Sequence, residues 1–330
     1  MYPEEIDLIR GVLPREMPFH YYPDRDSAWL LAQCMGGDAA ISALKARPCA
    51  RLLTRPLIKP MVAACGGTLR HRDMLAVAHA DRAMRMDGIG PVGNAALETV
   101  FATGWQDYRL SFAKWTGQQM SRPGGNLVVQ LSFPSDHAEL LGQHCAHETR
   151  GKYEFGLHPV RRTGRPTLAW ARLDIDLERG EALIEEVQSD WLRYVIKERH
   201  TMEAEQPQSR TLKRLRAYEN ALLNRYARLW PGVMMLAVLT LLRDEFAIRD
   251  VWMHQPQAGA VLKGIGGTPP PRSLYTDLPR RFCFEPMEEL PFMLVGRHKR
   301  GAGRGQRACA WKLRDLRRVR GPVSWRLRLE

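Results

Sequence analysis

The chain has 330 residues, with 49 Lys and Arg against 36 Asp and Glu, and six cysteines. This length suggests about two domains, and a 45% hydrophobic, 26% charged composition excludes a disordered or fibrous protein. The acidic start, Met-Tyr-Pro-Glu-Glu-Ile-Asp, predicts no signal peptide. The longest uncharged apolar run, 229–242, is shorter than the roughly 20 residues that span a bilayer. The cysteines form no CxxC pair, so we expect reduced thiols in a cytoplasmic protein.

The first part of the chain, residues 1–120, is predicted to be mainly helical. Apolar residues recur at helical spacing over 27–44, 72–86 and 94–114. Glycine and proline then dominate 120–126, which we interpret as a linker.

Residues 121–300 show a different, mixed pattern. Strands are predicted over 127–133, 153–160, 168–177, 181–187, 250–254, 282–285 and 291–296, and helices over 135–149, 209–246 and 273–280. The long helical stretch contains Pro231, where it can divide into two pieces. A mixture of this kind predicts an α+β fold, in which a mixed, mostly antiparallel sheet is flanked by helices.

The positive charge lies at the end of the chain. Residues 1–100 hold 12 basic and 11 acidic side chains, a net of +1, whereas 291–330 hold 12 and 2, a net of +10. Such a cluster attracts nucleic-acid phosphates, although a solvated basic face and contact with an anionic cofactor are the alternatives. The candidate nucleic-acid-binding residues are Arg297, Lys299, Arg300, Arg304, Arg307, Arg317 and Arg318. The strict alternation of 323–329 predicts a folded strand within a basic extension, 301–330.

Acidic and amide side chains crowd the end of the predicted strand 181–187. Alternation along a strand places Glu186, Gln188 and Asp190 on one face and Glu185 on the other. A carboxylate that is partly buried here could accept a proton from an amine nucleophile. The alternative is a solvated face followed by a helix that is capped by Ser189 or Asp190.

A glycine-rich stretch, 259–267, contains a single lysine. Its backbone N–H groups and Lys263 could cradle a phosphate, so Lys263, Gly264, Gly266 and Gly267 are candidate cofactor-binding residues. A mobile loop over an active site is the rival interpretation. Several histidines and acidic residues share the predicted helix 135–149, but their order is not that of zinc proteases, and we expect no metal.

The element order over residues 124–300 resembles the N-acetyltransferase (GNAT) fold. In that family the fourth strand is followed by a helix, a fifth strand and a short helix that carries a tyrosine; here 273–278 precedes Arg281-Phe282-Cys283-Phe284. The resemblance implies acetyl-CoA or another acyl-CoA as donor, with Tyr275 as the acid that protonates the departing thiolate. The family's pyrophosphate loop needs glycines after the fourth strand, and none occurs from Glu181 to Pro231.

A second resemblance is local. The segment Glu-Glu-Val-Gln-Ser-Asp-Trp, residues 185–191, is similar to a motif of large polyvalent proteins of phages and mobile elements. A Trp-containing strand and a Tyr-bearing helix follow the motif there, as Trp252 and Tyr275 do here. The candidate substrate-binding residues are Glu185, Gln188, Ser189, Trp191 and Trp252.

Three functions remain open from the sequence. The first is acyl or related group transfer to an amine on a small molecule or a nucleic acid, with Glu186 as base, Tyr275 as acid and Asp190 orienting the acceptor. The second is non-catalytic nucleic-acid binding by the basic end of the chain, as a protein of a phage or mobile element. The third is a protein-interaction module. The missing glycines favour the second and third, the carboxylates favour the first, and no membrane partner is expected.

Overall fold

The computed structural model describes residues 1–80, 105–144, 153–161, 163–266, 271–295, 315–316 and 318–329. The strands are β1 Met17–Tyr21, β2 Ala39–Ala40, β3 Thr68–Leu69, β4 Gln106–Trp115, β5 Asn126–Ser132, β6 Thr167–Asp176, β7 Glu181–Gln188, β8 Asp250–His254, β9 Glu285–Met287 and β10 Ser324–Arg328. The helices are α1 Pro3–Val12, α2 Arg25–Met35, α3 Ile41–Lys45, α4 Lys59–Ala64, α5 His71–Ala78, α6 His137–His144, α7 Asp190–Glu205, α8 Arg210–Leu222, α9 Trp230–Asp244, α10 Pro256–Lys263, α11 Leu278–Arg281 and α12 Phe292–Val295.

Within these ranges, eight strands form one sheet in the order β1-β4-β5-β6-β7-β8-β10-β9, while β2 and β3 pair separately. Every neighbouring pair in the large sheet is antiparallel except β7 with β8, which is parallel. A parallel pair needs a crossover connection, and here α7, α8 and α9 supply it. The expected α+β fold, with a mixed, mostly antiparallel sheet flanked by helices, is therefore confirmed.

The main core lies on the face of the sheet that α9 covers. Nearly the whole of α9 is apolar and buried, which is typical of a helix with core on all sides. Leu173 and Ile184 of the central strands point into this core. A smaller apolar cluster around Leu183 and Trp252 lies on the opposite face, below α10. Among the described helices, none combines the length and apolarity needed to cross a bilayer.

Several predicted elements are confirmed, and others are wrong. The hairpin of β6 and β7, the strands β5, β8 and β10, and the division of the long helical stretch near Pro231 agree with the sequence. The helix predicted to reach residue 114 is wrong over 106–114, which form β4. Its aromatic residues are three or four apart, but Tyr108, Leu110 and Phe112 alternate toward the core. No strand occurs over 153–160, and 292–295 are helical.

The segments 1–120, 121–300 and 301–330 all contribute strands to one sheet. Strand β1 pairs with β4 at one edge, and β10 pairs with β8 and β9 near the other. In β10, Trp325, Leu327 and the following Leu329 are buried while Arg328 is exposed, as the alternation predicted. The division of the chain into these three segments as separate units stays a prediction.

Candidate functional site

A β-bulge in β7 organises the polar residues at the end of that strand. Glu186 pairs with Arg172 of β6 and Ile184 pairs with Leu173, so Glu185 is an extra residue without an opposing partner. A bulge interrupts the alternation of a strand. Leu173 points into the main core, so the neighbouring Arg172 and its partner Glu186 lie on the opposite face of the sheet. Glu185 contacts Lys263 of α10 on that same face, so the prediction that it lies across the sheet from Glu186 is wrong.

Glu185 is the centre of a fully buried polar cluster. Its carboxylate accepts hydrogen bonds from the backbone N–H of Ser121 at 3.0 Å and from the Ser121 hydroxyl at 2.8 Å. His254 Nε2 lies 3.2 Å away and Lys263 Nζ 3.9 Å away. Burial raises the pKa of Glu185, but the hydrogen bond from His254 and the charge of Lys263 outweigh it and hold that pKa well below its usual range. The carboxylate is therefore ionised at neutral pH.

His254 does not form a Ser-His-Glu triad, although the three residue types are together. Its Nε2 lies 2.6 Å from the Ser121 hydroxyl and also contacts Glu185, whereas a triad needs the acid on Nδ1. Among the described residues, Nδ1 has no hydrogen-bond partner. Burial lowers the pKa of His254, so the ring is neutral. We interpret the cluster as a structural support beneath the bulge.

The strands β7 and β8 part beyond the bulge. Their ladder ends at the pair Ile184 and Met253, although β7 continues to Gln188. Lys263 donates to the backbone carbonyl of Glu185. The backbone N–H of Val187 donates to the Tyr275 hydroxyl at 3.4 Å. Two side chains thus hold backbone groups of β7 that strand pairing leaves without a partner.

Tyr275 reaches this opening from a π-helical turn, Ser273–Asp277. The ring is buried, and its burial together with the nearby charge of Glu186 raises the pKa of Tyr275. The hydroxyl therefore keeps its proton at neutral pH. The sequence did single out this residue, and the structure brings it to the end of β7.

Glu186 is the least buried carboxylate at the bulge, with 17% of its side chain exposed. It forms an ion pair with Arg172, which also donates to the Gln119 carbonyl at 2.7 Å. The guanidinium lies over the Trp115 ring, 5.1 Å from its centroid. The charge of Glu186 is consequently compensated by an arginine that the sequence did not identify.

Asp190 and Gln188 lie together in a second polar cluster, at the start of α7. The Asp190 carboxylate accepts hydrogen bonds from Trp170 Nε1 at 2.9 Å and from Gln188 Nε2 at 2.5 Å. His158 Nδ1 lies 2.9 Å from both carboxylate oxygens. Burial raises the pKa of Asp190, but the hydrogen bonds from His158 and Trp170 lower it more. His158 was missed because it lies within residues 153–160, which were predicted to form a strand.

Three predicted substrate-binding residues are placed as structural residues instead. Ser189 occupies the N-cap position of α7, but its hydroxyl donates to the Leu168 carbonyl at 2.6 Å. Trp191 is fully buried and its indole donates to the Tyr218 hydroxyl. Trp252 is packed in the smaller apolar cluster. The two tryptophan rings are part of apolar cores. Sequence spacing alone could not distinguish a core ring from a ring that binds substrate.

In the described part of the glycine-rich stretch, residues 259–266 form the end of a helix and its cap, and a phosphate cradle there stays a prediction. Lys263 is the last residue of α10, and Gly264 ends that helix in the left-handed conformation, with φ of 64°. A helix C-terminus carries partial negative charge, and the Lys263 ammonium is directed to Glu185. Gly266 has open space around it, and Gly267 lies outside the described residues.

The predicted nucleic-acid-binding residues fall almost entirely outside the described residues. Arg318 is exposed, while Arg297, Lys299, Arg300, Arg304, Arg307 and Arg317 are not described. An open depression of about 540 Å³ lies beside β9 and β10, and its lining includes Arg51, Arg280 and Trp325. Neither Glu186 nor Tyr275 lines it. In the described ranges, no group of three or more His, Cys, Asp or Glu side chains is arranged to hold a metal ion.

Comparisons with models of protein families, with curated proteins and with solved structures found no match to this chain.

Proposed function

We propose that this protein transfers an acyl or related group to an amine, with an acyl-CoA donor bound where β7 and β8 part. The observation that carries the proposal is the end of the ladder at Ile184 and Met253, with the Tyr275 hydroxyl on the N–H of Val187. An extended ligand can bond to unpaired strand backbone as another strand would. The pantetheine arm of coenzyme A carries amides suited to that role.

The resemblance to N-acetyltransferases supports the same interpretation. Strand β7, the helical crossover and strand β8 follow one another in the order that the resemblance implies. The turn that carries Tyr275 comes after them, separated from β8 by the helix α10. The family's pyrophosphate glycines are absent from this chain. The two arginines of the surface depression, Arg51 and Arg280, are candidates to hold the donor's phosphates in their place.

In the proposed chemistry, Glu186 and Tyr275 each take part in one proton transfer. Glu186 receives a proton from the acceptor nitrogen, directly or through water, as the C–N bond to the acyl carbon forms. The C–S bond breaks, and Tyr275 gives its proton to the departing thiolate. The raised pKa of Tyr275 keeps that proton in place until the thiolate develops. Because Tyr275 is buried, donor binding must displace its contact with Val187.

The proposal is tested by measuring thiol release from acetyl-CoA with a panel of primary amines, alongside thermal shifts with acetyl-CoA and coenzyme A. We expect stabilisation by either ligand and amine-dependent release. Tyr275→Phe should lower kcat by about tenfold or more, because the general acid is lost. The exposed Tyr2→Phe serves as the matched control. Neither stabilisation nor thiol release in the wild type would overturn the proposal.

The charge of the C-terminal region favours nucleic-acid binding as a second candidate function. The net charge of +10 in the last forty residues is the observation behind it, and Arg318 and Arg320 are exposed. Binding through phosphates weakens steeply with salt because counterions are released. A titration with short duplex DNA at two salt concentrations tests it. Equal affinity at both would contradict phosphate-driven binding. A cytoplasmic location is part of either proposal.

A further inference from the structure

His158 and Asp190 form a histidine–carboxylate dyad whose role the proposed chemistry does not include. Nδ1 of His158 lies 2.9 Å from each oxygen of Asp190, which is only 2% exposed. A lone pair on Nδ1 would face the lone pairs of an ionised carboxylate at this distance. A hydrogen on Nδ1 instead donates to the carboxylate and leaves the lone pair on Nε2.

The surroundings of His158 hold the ring in one orientation. Phe155 and Trp170 contact it edge to face, with centroids 4.7 and 5.4 Å away. The Asp190 carboxylate is itself fixed by Trp170 Nε1 and Gln188 Nε2. The His158 side chain is 26% exposed, and Nε2 makes no hydrogen bond to any described residue. A rigid imidazole with one open nitrogen is the arrangement that a general base requires.

We propose that His158 is a general base that removes the proton from the acceptor ammonium, and that Asp190 is its positioning residue. This inference rests on the proposed function for the reaction in which the base acts. Gln188 contacts the dyad and is two residues from Glu186 on β7, so the dyad and the bulge share one end of the strand.

Every proton in this step is accounted for. Nε2 of His158 takes one proton from the ammonium, and the free amine then forms the C–N bond while the C–S electron pair leaves on sulfur. Glu186 receives the second proton of the nitrogen, and Tyr275 gives one proton to the thiolate. These two transfers cancel in the proton count. One proton for each turnover therefore leaves through His158 to solvent, and the Asp190 carboxylate stabilises the imidazolium in between.

The tautomer of His158 tests the dyad without any assay of activity. Gln188 Nε2 also lies 2.9 Å from His158 Nδ1, and if that amide were the donor, the ring hydrogen would be on Nε2. We would record the imidazole ¹⁵N spectrum of the full chain and assign His158 by its absence in His158→Gln. Hydrogen on Nδ1 supports the dyad, whereas hydrogen on Nε2 overturns it. His200, which is 66% exposed, is the reference ring.

Acetyl transfer supplies the second test. His158→Gln should lower kcat by about 10²-fold, the usual contribution of a general base, while coenzyme A still stabilises the variant. Asp190→Asn should lower kcat with KM unchanged and shift the His158 tautomer. A wild-type rate in His158→Gln would overturn the inference. An inactive wild type would overturn the proposed function instead, and the ¹⁵N spectrum would still decide whether His158 is poised as a base.

Discussion

At the scale of single residues, each of the two carboxylates at the bulge has a cation beside it. Glu185 lies beside Lys263, and Glu186 is paired with Arg172. Removing one member of a buried pair leaves the other charge uncompensated, which costs more than the pair itself contributes. The cluster beneath the bulge is therefore sensitive to changes that keep its shape but remove its charge.

Glu185→Gln is expected to destabilise the protein by about 3 kcal/mol at neutral pH, because Lys263 loses its nearest carboxylate. Urea denaturation of the two proteins measures the difference. Glu178→Gln, in the exposed turn between β6 and β7, should stay within about 0.5 kcal/mol of the wild type. Equal stabilities of Glu185→Gln and wild type would contradict the assigned charge of the cluster.

The stability difference should also depend on pH. The folded-state pKa of Glu185 lies below the ordinary value of 4.5, so its ionised form stabilises the folded state above that value. The contribution is lost as pH falls through the lowered pKa. We expect the gap between wild type and Glu185→Gln to narrow below about pH 4.5, as denaturation at stepwise lower pH would show. A gap that widens in acid would contradict the sign of the shift.

At the scale of elements, the approach of α10 to β8 depends on a glycine. A Cβ added to Gly259 would lie 2.9 Å from the Cβ of His254, which cannot move without shifting the strand. This close packing brings Lys263, at the end of α10, to the bulge of β7. The helix and the bulge therefore form one structural unit.

Gly259→Ala is expected to destabilise the protein by about 1–3 kcal/mol, because overpacking outweighs the better helix propensity of alanine. Gly142→Ala in α6 is the matched control, since a Cβ there meets nothing within 4 Å. The control should be neutral or more stable by up to about 1 kcal/mol. Thermal unfolding of both variants measures the contrast, and similar effects would argue against the packing at His254.

At the scale of the whole molecule, an ion pair connects residues 255 positions apart in sequence. The Arg281 guanidinium donates to the Asp26 carboxylate at 2.6 and 3.0 Å, and Asp26 is 1% exposed. This contact joins α2, in the first part of the chain, to α11. Together with the pairing of β1 and β4, it leads us to expect one cooperative folding unit over the sheet and its N-terminal helices.

Arg281→Ala is expected to lower the free energy of unfolding by about 3 kcal/mol or more while keeping one transition. The buried Asp26 carboxylate would lose this ion pair and keep the hydrogen bond from the Tyr21 hydroxyl. Arg280→Ala, at the exposed neighbouring position, should change it by less than about 1 kcal/mol. Denaturation followed by both fluorescence and circular dichroism provides the measurement. Two separate transitions in the wild type would show that residues 1–120 fold independently.

The sequence determined much of this architecture through local pattern. Alternation identified the hairpin of β6 and β7 and the last strand, and helical spacing identified the long stretch, 209–246, that holds α8 and α9. It also placed Glu186, Gln188 and Asp190 at the end of β7, whereas Tyr275 came only from the resemblance to N-acetyltransferases. These signals are readable because a strand or helix repeats its exposure with a fixed period.

Only the tertiary structure decided what the polar residues contact. Alternation cannot show a bulge, because one extra residue changes which face every later side chain occupies. The partners Arg172, His254 and His158 come from other strands and a connecting segment, and chain spacing says nothing about which of them will meet. Lys263 looked like a phosphate ligand in sequence, yet burial against Glu185 gave its charge a different partner, since a buried ammonium must be compensated by whatever carboxylate the fold places beside it.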